Sequence, residues 1–319
     1  MIFKQRSEPL ELVLNRFLNT RMDFSENEKK HFWTISKGYE GEVRSDIWLL
    51  NLTDNWLVLH DLLLEFNQSI FQIDTLIIAY EMIYLLDVKN FEGDYVVKDD
   101  KWYNPAGVLQ KNPLHQLERC ETLLEKLLHE LGYHFTIDSY LIFNNSEFHL
   151  YIPSIQPAII FPTQLNRFLK KLNSKPVKLN KKHFQLAEQL KGLHKIESPY
   201  PKLPPYTIEK LKKGITCCKC NSFLTDQTLI CKNCGYVEDV DAAVLRSLKE
   251  FTLLFPDRKI TTDTIHDWCG IIKSKKTIRR ILAKNLALLR HSRSLITVLK
   301  INFFYSLPSI YFFGLSGYE

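Results

Sequence analysis

Between Trp268 and Tyr318 the chain has no Asp and no Glu, against nine Lys or Arg. Because the formal net charge of all 319 residues is only +6, the remainder is slightly acidic. A block of one sign at one end suits a phosphate backbone better than a membrane surface. Also missing are a Walker loop, the glycine fingerprint of dinucleotide folds and a GxSxG elbow. Their absence argues against nucleotide hydrolysis, oxidoreduction and serine hydrolysis. No long apolar run follows the charges of the opening MIFKQRSEPLELVL, so no signal peptide is expected. The uncharged stretch Ile301–Tyr318 is long enough to raise the question of a membrane span. Its Pro308, three serines and two glycines instead predict a buried or loosely packed tail, with no membrane partner.

Cysteine is present but unevenly placed. Five of the seven fall between Cys217 and Cys234, while Cys120 and Cys269 stand alone among apolar neighbours and read as core thiols. Cys217, Cys220, Cys231 and Cys234 form two CxxC pairs ten residues apart. Each CxxC turn can set two thiolates about 2.3 Å from one ion, and two such turns complete a tetrahedron. Structural Zn2+ in a small zinc ribbon is therefore expected, with Lys219, Lys232 and Gly235 fitting the knuckle pattern. Cys218 could replace a neighbour, but Cys217 with Cys220 keeps the two-residue spacing. Metal-bound thiols without an export signal also predict a reducing, cytoplasmic setting.

The chain divides on composition into a helical lead-in (1–35), a mixed region of strands and helices (36–172), a polar helix with the proline-rich linker SPYPKLPP (173–213), the cysteine module (214–238), a basic helical module (239–300) and the apolar tail (301–319). A helix is expected over Gly38–Leu50 with the glycines at its start, and a strand over Trp56–Glu65. Two further strands, Phe71–Ala79 and Met82–Asn90, are joined by a polar break at Tyr80 and Glu81. A fourth strand is expected from Gly93 to Trp102, then a helix from Pro113 to Leu131 and strands Ser139–Asn144 and Glu147–Ile152. That order makes an α/β or α+β domain.

Two of these apolar strands carry a carboxylate, Asp74 and Asp87. A buried, unpaired carboxylate costs several kcal/mol, so each needs a strand end, a partner or a metal. Asp87 and Lys89 share a sheet face at spacing two, and a hairpin would bring Asp74 to the same edge. Two carboxylates beside an ammonium suit a divalent cation and an activated water. Glu42 near a helix start has a simpler explanation, since acidic groups favour helix N-termini. His60, His115, His129, His134 and His149 show no metal-ligand spacing and read as structural or exposed.

GYEGE (Gly38–Glu42), FQIDTLII (Phe71–Ile78), YLLDVKNFEG (Tyr84–Gly93) and NPLHQ (Asn112–Gln116) together resemble the nuclease-related domain family, NERD. The resemblance covers roughly 36–135 in order and spacing. It implies a restriction-endonuclease-like core, a mixed sheet flanked by helices, within the PD-(D/E)XK superfamily. It further implies catalytic roles for Glu42, Asp74, Asp87, Lys89 and Gln116, with Mg2+ or Mn2+ at Asp74, Asp87 and Glu42. Asp87 stands where this family often has Glu.

Thr262–Cys269 and Ser274–Asn285 are separated by a short break and resemble a helix-turn-helix. Ile278, Ile281 and Leu282 would pack inward; Lys275, Lys276, Arg279, Arg280 and Lys284 would face nucleic acid. The leading expectation is a Mg-dependent nuclease acting on DNA. The alternatives are an inactive nuclease-like scaffold that binds DNA or regulates, and an interaction subunit of a DNA-processing complex. Oligomeric state is left open.

Overall fold

The computed structural model describes residues 1–53, 56–175, 178–195, 201–291 and 294–299. The tail expected over 301–319 and the first residues of SPYPKLPP lie outside them. The chain forms two compact units. One holds Met1–Leu12 and Lys30–Lys202, the other Val13–Lys29 and the chain from Leu203 onward.

The N-terminal residues are not helical throughout. β1 (Ile2–Lys4) is a strand, α1 (Leu10–Arg21) follows, and α2 runs over Glu26–Leu49. α2 starts earlier than the sequence suggested because Ser25 and Glu28 form a reciprocal cap: Ser25 N donates to Glu28 Oε2 at 2.6 Å and Glu28 N to Ser25 Oγ at 3.4 Å. Gly38 and Gly41 therefore sit inside the helix, not at its start. A Cβ on Gly41 would collide with the side chain of Asn90, so glycine here permits a close approach of helix to sheet.

β2 (Leu57–Phe66) and β3 (Ser69–Ile78) form a hairpin closed by Asn67 and Gln68, both at positive φ. β4 (Met82–Lys89) pairs antiparallel with β3. The expected fourth strand is two strands, β5 (Gly93–Lys98) and β6 (Lys101–Tyr103), because Asp99 and Asp100 at φ 49° and 57° turn the chain back. β7 (Leu109–Gln110), α3 (Pro113–Glu130), β8 (Thr136–Phe143), β9 (Phe148–Tyr151), β10 (Ile159–Ile160), α4 (Leu165–Asn173) and α5 (Lys181–Leu193) complete this unit. Asn112 caps α3 by accepting from Leu114 N, with Pro113 in its first turn.

The main sheet is mixed and six-stranded, in the order β1-β2-β3-β4-β8-β10, and a second sheet runs β7-β6-β5-β9. Leucines of α3 (Leu117, Leu124, Leu128) and α5 (Leu186, Leu190) share a buried cluster with Leu59, Ile73 and Leu85 of the sheet. Leu49 of α2 and Phe168 and Leu172 of α4 share another with Val58, Ile77, Tyr84 and Val88. A mixed sheet between helix layers is the architecture expected of a restriction-endonuclease-like core.

The second unit contains the cysteine module, then α6 (Val240–Leu254), α7 (Thr262–Cys269) and α8 (Lys275–Asn285). α7 and α8 match the two expected helices closely, and α6 lies near the helix Val240–Phe255 that the apolar spacing also predicts; Asp239 and Thr261 cap α6 and α7, and Gly270 at φ 67° ends α7. Where the sequence suggested helix alone, the backbone continues into an antiparallel hairpin, β11 (Leu286–His291) and β12 (Ser294–Leu299).

Candidate active site

The side-chain alternation of β2 and β3 changes phase midway. Leu57 and Leu59 face the α3–α5 cluster, and so do Leu62 and Leu64; on β3 the same holds for Phe71 and Ile73, then Leu76 and Ile78. The slip falls at Asp61, in left-handed conformation at φ 53°, and at Asp74 opposite it. Asp74 is thereby excused from the apolar face. The β3–β4 register ends at Thr75↔Leu86, and one further step places Asp74 opposite Asp87. There the strands part: Val88 N donates to Asp74 Oδ2 at 2.7 Å instead of to a strand carbonyl. The expected meeting of the two carboxylates at one end of a hairpin is what the structure has.

Lys89 Nζ donates to Asp87 Oδ1 at 2.6 Å. Asp87 is 6 % exposed; with both carboxyls ionised its other oxygen, Oδ2, is buried without a hydrogen-bond donor, whereas a protonated Asp87 is close enough to bond Asp74. Burial pushes the Asp87 carboxyl well above the usual carboxylate range; Lys89 opposes the rise and Asp74 adds to it. Burial alone would lower the Lys89 ammonium, but Asp87 and Asp74 outweigh it and raise it. Glu42, on α2, joins the group electrostatically: burial and the nearby Asp74 raise its carboxyl strongly.

Four more residues belong here that sequence reasoning did not assign. Arg6 Nη1 lies 2.6 Å from Glu42 Oε2, its Nε and Nη2 fork onto Asp46 at 2.8 and 3.0 Å, and Nη2 also reaches the Asp74 carbonyl at 2.7 Å. His60 Nδ1 stands 3.0 Å from Asp46 Oδ1 and 3.1 Å from Thr75 Oγ1. Burial opposes ionisation of Asp46, but His60 and Arg6 outweigh it and hold the carboxyl below its ordinary range. The lone signal in the sequence is His60 and Thr75 as polar residues within apolar strands. Gln116 is exposed in the first turn of α3, one helical turn before Cys120, whose thiol lies within electrostatic reach of Asp87, Asp74 and Lys89.

Residues 37–144 match the nuclease-related domain family. The chain carries a nuclease-related domain. No curated protein and no solved structure matches the chain. The matched segment contains Glu42, Asp74, Asp87, Lys89 and Gln116, whereas Arg6 lies upstream of it.

The donor set of this site fits a divalent cation. It offers a buried carboxylate oxygen with no hydrogen-bond donor and a second carboxylate opposite, and Mg2+ needs only one or two carboxylates because it keeps several waters. It is an open site. Among the described residues, only Cys217, Cys220, Cys231 and Cys234 form a group of three or more metal-type side chains whose donor atoms all lie within 4.8 Å of one another.

Those cysteines sit on two matching turns. Cys217 N bonds Ser222 O and Cys231 N bonds Tyr236 O, while Asn221 and Gly235, each four residues after the first cysteine of its pair, both have positive φ. Sγ atoms of Cys217 and Cys234 are 3.6 Å apart and those of Cys220 and Cys231 3.4 Å, near the roughly 3.8 Å of a ZnS4 tetrahedron. Cys218 stands outside the cluster, so the two-residue spacing holds.

On α8, Ile278, Ile281 and Leu282 are buried as expected. All five basic residues are exposed, but not all are unpaired: Lys275 bridges to Asp263 at 2.6 Å and Arg280 to Asp241 at 2.5 Å. No helix of the described residues is long and apolar enough to cross a membrane.

Proposed function

We propose that the chain is a metal-dependent nuclease hydrolysing phosphodiester bonds of DNA. Asp74 and Asp87 would hold Mg2+ or Mn2+, with Glu42 as the third carboxylate of the site. The observation that carries this reading is the buried Asp87 Oδ2, without a donor when ionised, opposite Asp74 and beside the Lys89 ammonium, within a nuclease-related domain. A divalent cation held there would supply Lewis acidity and make a water easier to deprotonate near neutral pH. Lys89 contributes fixed positive charge where negative charge grows on the phosphate. Asp74 holds β4 through Val88 N and so sets the distance between the two carboxylates. Gln116, exposed on α3, is left to contact substrate.

Zn2+ at the four cysteines is structural in this reading. Lys275, Lys276, Arg279, Arg280 and Lys284 would bind the phosphate backbone, supplying affinity without sequence choice. The ion pairs of Lys275 and Arg280 are exposed, and such pairs are worth about 0–1 kcal/mol, little enough to exchange for phosphate.

The test is cleavage of plasmid and single-stranded DNA with Mg2+ or Mn2+ by wild type, Asp74→Ala and Lys89→Ala. Lys89→Ala is expected to lose about 10²–10³-fold, as for other donors aimed at developing charge. Asp74→Ala is expected to lose cleavage altogether. Equal activity in all three proteins rejects the site.

A further inference from the structure

We infer that Arg6 fills the place a second divalent ion would take, so the nuclease site holds one divalent cation per chain. The inference rests on the nuclease reading above and concerns its cation count. In two-ion phosphodiesterases the ions lie about 3.5–4 Å apart and clamp the attacking and leaving oxygens between them. Once the Asp74 and Asp87 carboxylates take one ion, the Glu42 carboxylate and the Asp74 carbonyl are oxygens beside them that another ion would need. Arg6 already donates to both, at 2.6 and 2.7 Å.

Nothing invites the guanidinium to leave. Its side chain is 3 % exposed, and its fork is fixed on Asp46, which His60 holds from behind at 3.0 Å. It cannot withdraw by losing a proton either, since a guanidinium stays charged in proteins. Two cations competing for the same few oxygens repel strongly in a site of low dielectric. Glu42 is then a positioning residue: it carries Arg6, and Arg6 supplies the second positive charge permanently.

The readout is the number of Mn2+ ions bound by the full, zinc-loaded chain, followed by electron paramagnetic resonance. Wild type is expected to bind one Mn2+, and Asp87→Asn none. Arg6→Met is expected to bind two, because Glu42 and the Asp74 carbonyl are released; adding Glu42→Gln to it returns the count to one. Two ions on wild type overturn the inference and leave the nuclease reading standing, as does a folded Arg6→Met that still binds one. Should Arg6→Met not fold, the wild-type count decides by itself, one supporting and two overturning. A wild type that takes up no Mn2+ removes the nuclease reading and the inference with it.

Discussion

Asp87 and Glu42 are carboxylates held, without a cation, in conditions that favour their neutral forms. Burial is the main cause for both, with Asp74 adding to each. A carboxyl whose folded pKa exceeds its unfolded one makes the folded state bind more protons between the two values. Stability then falls as pH rises through that window. Metal-free protein should therefore be less favoured at about pH 8 than at about pH 5 relative to Asp87→Asn, which has no charge to bury. Urea unfolding of the two proteins at both pH values measures the difference. Adding Mn2+ should cancel the variant's advantage at the higher pH, because the cation binds the ionised form of wild type alone. A variant advantage that does not grow with pH contradicts the assignment.

Asp74 and Asp87 were legible because each interrupts a run of Ile, Leu and Val, where a charge needs a reason, and Lys89 because it follows Asp87 at spacing two. Arg6 was not legible. It sits in a polar segment without periodicity, and its partners Glu42, Asp46 and Asp74 are brought to it by the fold alone.

At the level of elements, hairpins and caps decided what could be read. α7 and α8 were visible as two helical segments separated by a short break, and the β3–β4 pair through its polar break. β1 was not, since three residues carry no pattern. The β5–β6 turn was missed because Asp99 and Asp100, though good turn formers, lie in a run that otherwise alternates. In the second unit, α1 and α6 are tied by Arg21 and Glu250, two buried charges. Arg21 Nε and Nη2 each lie 2.7 Å from a Glu250 oxygen, and Nη1 bonds the Lys212 carbonyl at 2.7 Å. The guanidinium also stacks 4.1 Å from the Trp268 ring centre. Removing one partner strands the other, so Glu250→Ala should destabilise this unit by about 3–5 kcal/mol. Calorimetry or hydrogen exchange over α6 and α7 would show it, and a loss under about 1 kcal/mol would count the pair as unimportant.

For the whole molecule, the uneven charge is the most readable property. The basic residues of α8 predict salt-sensitive DNA binding: log K against log salt should lose about 0.9 in slope for each phosphate contact removed. Replacing Lys276, Arg279 and Lys284 with Ala should therefore flatten the slope by roughly 2.7 if all three touch phosphate of duplex DNA. An unchanged slope by fluorescence anisotropy would place the nucleic-acid contact elsewhere. Mixed sheet, zinc-type knuckles and helical module were all foreseeable from local pattern. The division into units was not, because it depends on which apolar faces meet.

That division has a consequence for synthesis. Val13–Lys29 belongs to the unit completed only from Leu203 onward, and its Leu14, Leu18, Arg21 and Phe24 are buried in the finished protein. As the chain emerges from a ribosome at about 5–20 residues per second, this segment must wait roughly ten to thirty-five seconds for its partners. During that interval its buried-to-be leucines, Phe24 and Arg21 lack the partners they pack against, a condition that favours chaperone binding. Cutting the chain after Lys202 makes the wait permanent.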